Sequence, residues 1–332
     1  ELRQAVMPPR ALRAFARCLS SAAADAELVR VRKEGHVTVV TLNRAAKLNA
    51  LNVDMFRAIR RAAQQVSQDA ACRAVVLHGE GRAFSAGLDV KSLMRDPLSV
   101  PAAIEELLTE SPETGSTLAQ DVSYLWRLCP APVIAAVSGV CFGGGLQIAL
   151  GADLRFAAPD SSFSVMEAKW GLVPDMAGTV ALRDLVPLDV ALDLTLTGRV
   201  VPAEEALRLG LVTRVCEAPL EEAMAYARDL AAAKSPDATA AAKALLTANY
   251  SRGCSERTAL RREARLQRKL MGGWNQMASA AQGLGVPKAF RPAHSARGDA
   301  WGAELEESAR AADLPEAADE EAADADAARM GR

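Results

Sequence analysis

The chain has 332 residues, 50% of them hydrophobic and 4% aromatic, with a formal net charge of −2. Such a length supplies one large core or two modest ones, and so balanced a charge gives no electrostatic case for nucleic acid or an anionic membrane surface. No apolar run reaches the roughly 18 residues of a bilayer span, so a membrane partner is not expected either.

From Met7 the chain reads "MPPRALRAFARCLSSAAADAE", with Arg10, Arg13 and Arg17 and no acid before Asp25. Arginine and serine without acids is the composition of an organelle transit peptide, so residues 1–26 are expected to be a disordered mitochondrial-matrix leader; without that function, the location is cytoplasmic. "LVRVRK" and "HVTVVTL" are expected to pair as strands around Glu34-Gly35. "DMFRAIRRAAQQVSQ" has helical spacing, with Met55, Ile59, Ala62 and Val66 on one face. "RAVVLHG" and "APVIAAVSG" are short buried strands, each followed by a glycine-bearing loop and a helix, and "DLRFAA" and "SFSV" add two more. Helices dominate after Pro202, and from Gly272 to about Trp301 the pattern is weak. Strands alternating with helices predict an α/β core with an appended helical region. The last residues, 301–332, are alanine and acid with little to bury, and are expected to be a disordered acidic tail.

The six cysteines, Cys18, Cys72, Cys129, Cys141, Cys216 and Cys254, form no C-x-x-C pair, and only His36, His78 and His294 are available. No disulfide framework or metal centre is expected, and a catalytic proton carrier should be a carboxylate.

Gly143, Gly144 and Gly145 stand between a β-branched strand and a helix beginning near Leu146. The first helical turn leaves backbone N–H groups without partners, and glycine lets a ligand come close to them. "GRAFSAGLDVKSL", residues 81–93, is a second strand-to-loop-to-helix junction, with Asp89 a plausible N-cap. Two such junctions can point two donors at one developing oxyanion. Spacing alone does not show that they converge.

Five blocks in order carry a family resemblance: "VVTLNRAAKLNALN", "FSAGLDVKSL", "APVIAAVSGVCFGGG", "ADLRFAAPDSSFSVMEAKWGLVPDMAGT" and "LTGRVVPAEEALRLGLVTRV". The chain resembles the crotonase superfamily of enoyl-CoA hydratases and isomerases, from about Leu28 to Val215 and more faintly beyond. The resemblance implies the ClpP/crotonase fold, a spiral of ββα turns over 27–215 with a helical trimerisation region over 216–300. It implies an acyl-CoA substrate of fatty acid β-oxidation and a homotrimer or dimer of trimers. No separate cofactor is implied, because coenzyme A enters with the substrate. It puts the oxyanion donors on the Leu88 and Gly144 backbone N–H groups, with Gly143 in the same substrate-binding backbone. It lays Ala86, Gly87, Leu88, Asp89, Val90 and Lys91 along the adenine-bearing part of coenzyme A. Lys47 and Lys91 become candidates for its phosphates; a lysine is also an ordinary surface charge.

Hydratases of this family use two glutamates. Here the first position holds Gln147, and the second is Glu167 in "SVMEAKWGL". An amide has no proton to exchange, although it can orient a water. Asp175, in "GLVPDMAGT", is a second acid of the kind dienoyl-CoA isomerases carry there; it is equally a turn former after Pro174. A lone carboxylate suits a 1,3-proton shift, so the expected activity is enoyl-CoA isomerisation with Glu167 as acid and base. The alternatives are a hydratase that uses Asp175 or a water held by Gln147, and a catalytically weak acyl-CoA-binding protein.

Overall fold

A computed structural model describes residues 28–93, 98, 100–112, 115–250, 254–298 and 301, except the side chains of Lys91 and Leu93. The expected leader (1–26) and all of the acidic tail but Trp301 lie outside the described residues. In chain order the elements are β1 (Val29–Glu34), β2 (Val37–Leu42), α1 (Val53–Gln68), β3 (Ala74–Gly79), α2 (Val90–Leu93), α3 (Val100–Leu108), α4 (Leu118–Leu128), β4 (Val133–Val137) and β5 (Val140–Phe142). Then come α5 (Gly144–Leu150), β6 (Leu154–Ala157), β7 (Ser162–Ser164), α6 (Gly178–Leu185), α7 (Leu188–Thr197), β8 (Val201–Pro202), α8 (Ala203–Leu209) and β9 (Arg214–Val215). The C-terminal helices are α9 (Pro219–Ala233), α10 (Pro236–Asn249), α11 (Glu256–Leu270) and α12 (Trp274–Gly283).

The chain divides into two compact units: residues 1–127 with 133–232, and residues 128–132 with 233–332. In the first, the hairpin turns where expected, with Gly35 at φ +62 and Val29 opposite Leu42 in antiparallel register. Parallel pairing then carries the sheet through β2-β3-β4-β6-β9, and β5-β7-β8 form a smaller second sheet. Each β-branched run buries both faces, as parallel strands do. Val39, Val76, Ile134 and Phe156 on one face pack against Ala223, Met224 and Ala227 of α9. Helix α1 is capped by Asn52, whose side chain accepts from the Met55 N–H at 3.1 Å, and it buries Met55, Ile59, Ala62 and Val66.

The 131–139 segment, expected as one strand, is β4 followed by a turn at Gly139 (φ +61), after which β5 leaves for the second sheet. The helical region expected from 216 divides as well. Helix α9 belongs with the sheet it covers, and the second unit begins at Ala233.

In that unit Ala240, Ala241, Leu266 and Trp301 form the core. Asp237, in the first turn of α10, accepts from Gly298 N–H (2.8 Å) and Trp301 Nε1 (2.9 Å) on Oδ1, and from Asn275 Nδ2 (2.7 Å) on Oδ2. One buried-edge carboxylate thus orders the weakly patterned stretch after Gly272. Among the described residues no helix is long and apolar enough to cross a membrane.

Candidate active site

Two loops of the first unit meet at glycines. After β3, Ser85 pairs with the β5 backbone: its N–H donates to the Val140 carbonyl (3.2 Å), and its carbonyl accepts from the Phe142 N–H (3.0 Å). Asn49 holds the loop from behind. Fully buried and left-handed at φ +53, it donates to the carbonyls of Glu80 (3.0 Å) and Ala83 (2.8 Å) and accepts from the Arg44 N–H (2.7 Å). Leu51 bridges Leu88 by donating to Gly87 O (2.8 Å) and accepting from Asp89 N–H (2.8 Å). This bridge consumes the groups flanking Leu88, whose own N–H meets no acceptor among the described residues.

The Gly144 N–H, first of α5, is likewise without an acceptor there, as first-turn amides are. The two loops touch: a Cβ on Gly87 (φ +83) would lie 3.4 Å from the Gly144 nitrogen and 2.6 Å from the Phe142 carbonyl oxygen. A Cβ on Gly144 would strike Met176 Sδ at 2.6 Å and Leu51 Cδ1 at 3.0 Å. Side chains at either position would fill the space these amides border.

Glu167 opens a 3-10 turn, Glu167–Trp170, just after β7 and is only 8% exposed. Its Oε1 accepts from Gln147 Nε2 at 2.6 Å, while Oε2 is buried and has no partner among the described residues. Gln147 Oε1 in turn accepts from the Met176 (2.9 Å) and Gly178 (3.0 Å) N–H groups. Two amide donors on one atom identify that atom as the oxygen, so the nitrogen faces Glu167. Burial pushes the Glu167 carboxyl up from its ordinary value; its own backbone N–H and Gln147 oppose this, and the Asp175 charge adds to it. Asp175, on the loop before Met176, exposes much of its surface, yet desolvation raises its carboxyl too, opposed by its own backbone N–H. The glutamate also borders the triple glycine: a Cβ on Gly143 would stand 3.5 Å from Glu167 Oε1.

Thus Leu88, Gly87, Gly143 and Gly144 are brought together, Gln147 touches Glu167, and Asp175 reaches it through its charge. Asp89 is engaged elsewhere. It caps α2 through the Ser92 N–H (3.0 Å) and pairs with Arg44 Nη1 at 2.6 Å. Burial would raise its carboxyl, but Ser92 and the Arg44 guanidinium hold it at about 2. Lys47 is exposed on the turn Ala45–Lys47, with no contact to these groups, and the Lys91 side chain lies outside the described residues. Ala86 donates its N–H to Leu48 O (2.9 Å), and Val90 donates its own to Leu88 O (2.9 Å). Gln147, expected as a residue that could orient a water, spends its oxygen on the 176–178 loop and one of its two N–H groups on Glu167.

The Leu88 loop also borders a cleft of about 370 Å3, walled by Leu51, Val53, Ala102, Ala103 and Leu107. A larger one, about 760 Å3, lies between the β1–β2 hairpin and α9 and contains none of these residues. Sequence reasoning missed Asn49 and the pair Met176 and Gly178. A buried asparagine in "LNALN" was the available signal for the first; nothing local marks the other two, because their role is to donate backbone N–H groups. Among the described residues no cluster of His, Cys, Asp or Glu could hold a metal ion.

Comparison with known proteins agrees with this layout. Residues 32–279 match the family model for enoyl-CoA hydratase/isomerase. Enoyl-CoA hydratase EchA19 of Mycobacterium tuberculosis is 35% identical over 218 residues, 65% of this chain and 77% of that one. The human mitochondrial Delta(3,5)-Delta(2,4)-dienoyl-CoA isomerase is 35% identical over 229 residues, 65% of this chain and 66% of its own length. The crystal structure of an enoyl-CoA hydratase from Mycobacterium tuberculosis H37Rv superposes with a TM-score of 0.68 at 31% identity, covering 81% of this chain and 99% of that one. With a crotonase-like spiral, a helical C-terminal region and a matched span that takes in both glycine loops and Glu167, the chain belongs to the enoyl-CoA hydratase/isomerase family of the crotonase superfamily.

Proposed function

We propose that the protein is an enoyl-CoA isomerase that moves a double bond from C3–C4 to C2–C3 of an acyl-CoA thioester. The observation that carries this is Glu167: one buried carboxylate whose Oε1 is occupied by Gln147 and whose Oε2 has no hydrogen-bond partner among the described residues. The thioester oxygen sits between the Leu88 and Gly144 N–H groups. Glu167 Oε2 takes a proton from C2, and the C–H electron pair moves into the carbonyl to give a dienolate held by those two donors. Each donor aimed at such an oxyanion contributes about 3 kcal/mol in the transition state. The carboxylic acid then returns the proton to C4, and the electrons come back to leave the conjugated 2-enoyl thioester. Burial favours this role, because it brings the carboxyl closer to neutrality and makes it a stronger base than an exposed glutamate. No cofactor enters these steps; coenzyme A is part of the substrate.

A second reading, a dienoyl-CoA isomerase in which Asp175 carries the returning proton, is favoured by the Asp175 charge acting on Glu167 and by the human relative. Hydration has support from the relatives named hydratases, but a water would need a second carboxylate where Gln147 stands. Exposed Trp170, Leu172 and Val173, a few residues after the candidate base, support association with further copies; the number, a trimer or pair of trimers, is what the family resemblance implies. A mitochondrial location is supported by the human relative and by the arginine-rich stretch from Met7.

Purified protein given 3-hexenoyl-CoA should form 2-hexenoyl-CoA, with crotonyl-CoA hydrated far more slowly. Glu167→Gln should lower isomerisation by about 100- to 10,000-fold. Fast hydration of crotonyl-CoA with no isomerisation would refute the proposal.

A further inference from the structure

Ala177 stands at φ +60, a left-handed conformation that an L side chain adopts only against a steric penalty. The N–H groups of its two neighbours, Met176 and Gly178, close on a single acceptor, Gln147 Oε1. Successive amides arranged in this way form a concavity suited to an oxygen. The fit is tight: a Cβ on Gly178 would lie 2.5 Å from that oxygen. The far end of the same amide donates to Glu167 Oε1 at 2.6 Å. The loop, the amide and the carboxylate therefore form one chain of hydrogen bonds, and every link but Glu167 itself is neutral. Within it Gln147 is 2% and Glu167 8% exposed.

A carboxylate free to turn presents either oxygen and can pass a captured proton to water. This one cannot turn without giving up its charge-assisted bond to Gln147. We propose that Gln147, anchored by the 176–178 loop, is a positioning residue that confines proton transfer to Glu167 Oε2, so that a proton taken from C2 of the substrate returns to C4 of the same molecule. The proposal rests on the isomerase function above. Its proton balance is closed: Oε2 gains one proton from C2 and loses the same one to C4. Among the described neighbours, Asp175 is the titratable group whose charge reaches Glu167; α5 and β7 carry no ionisable side chain.

The full chain is run in deuterated water with 3-hexenoyl-CoA, and the early product is weighed by mass spectrometry. Wild type should deliver mostly unlabelled 2-hexenoyl-CoA. Gln147→Met, which keeps length but not the donor, and Gly178→Ala, whose Cβ drives into the amide and displaces it while leaving Gln147 itself in place, should each raise deuterium uptake several-fold. Complete labelling by wild type, or equal labelling in all three, overturns the proposal. A second readout needs no turnover. In the 13C spectrum of glutamate-labelled protein, assigned with Glu167→Gln, the Glu167 titration midpoint should rise by about one pH unit in Gln147→Met, because a donor favouring the charged form is gone. An unmoved midpoint overturns the proposal even if 3-hexenoyl-CoA is not converted. A moved midpoint without conversion would instead count against the isomerase function alone.

Discussion

Glu167 has a stability signature as well as a chemical one. Burial, partly offset by its own backbone N–H and by Gln147, raises its carboxyl above the unfolded value. The folded state therefore holds this proton more tightly than the unfolded chain does. The associated stabilisation is complete below the unfolded pKa and is lost as pH rises through the folded one. Above that window the ionised, dry carboxylate is a cost of the kind active sites carry. Glu167→Gln should consequently melt higher than wild type at pH 8, with the gap closing toward pH 4, as measured by calorimetry. A variant that melts lower at pH 8 would show that the carboxylate is well solvated. The glutamate itself was legible in the sequence, twenty positions after Gln147 in a family block. What Gln147 does was not, because its partners are two backbone amides about thirty residues away. No residue type there announces a donor, and only folding brings the loop to the amide.

At the scale of elements, function depends on two loops meeting. Gly87 is where the demand is sharpest. At φ +83 it occupies backbone space closed to most side chains, and its missing Cβ is what lets the Phe142 carbonyl and Gly144 nitrogen come so near. Gly87→Ala should cost about 2 kcal/mol or more, from the left-handed backbone and from a contact with backbone that no rotamer relieves. Turnover should fall further than stability, because the wedge separates the two N–H donors. Denaturant midpoints beside kcat would check this, and unchanged turnover would mean the donors act independently. Alternation and glycine punctuation in the sequence located these junctions correctly. The separate strand β5, which follows the 131–139 run, was harder to see, since Ser138 and Gly139 interrupt a pattern that stays apolar on both sides. The chain turns there because Gly139 reaches φ +61, and that turn carries β5 into the second sheet beside Ser85. Asn49 escaped notice for a related reason: an asparagine in a leucine-rich turn reads as polar surface until the three hydrogen bonds of its buried side chain are seen.

Over the whole chain, sequence signal and structural order part company most clearly in the second unit. Periodicity fades after Gly272, yet Asp237 gathers Asn275, Gly298 and Trp301, so order comes from a few polar bonds instead of an amphipathic stripe. The first unit poses the opposite case, with apolar side chains that the fold leaves uncovered. Leu188, Leu192 and Leu196 repeat every four residues along α7, and α7 packs on the 3-10 turn that begins with Glu167. Leu196 is 72% and Val173 72% exposed, with Leu188, Trp170 and Leu172 all above half. Large exposed apolar side chains on two elements that pack together mark a surface for association. Copies of the chain meeting on this surface would also shield the turn that holds Glu167 from water. Light scattering on the eluting protein should give three chain masses or six. Leu196→Asp, which puts a charge at a largely exposed position of α7, should shift the population toward monomer while the circular dichroism spectrum stays native. If the turn relies on that cover, isomerisation should fall with trimer content across a dilution series. A wild-type monomer at micromolar concentration with full activity would show that the site is complete within one chain and that the apolar face serves something else.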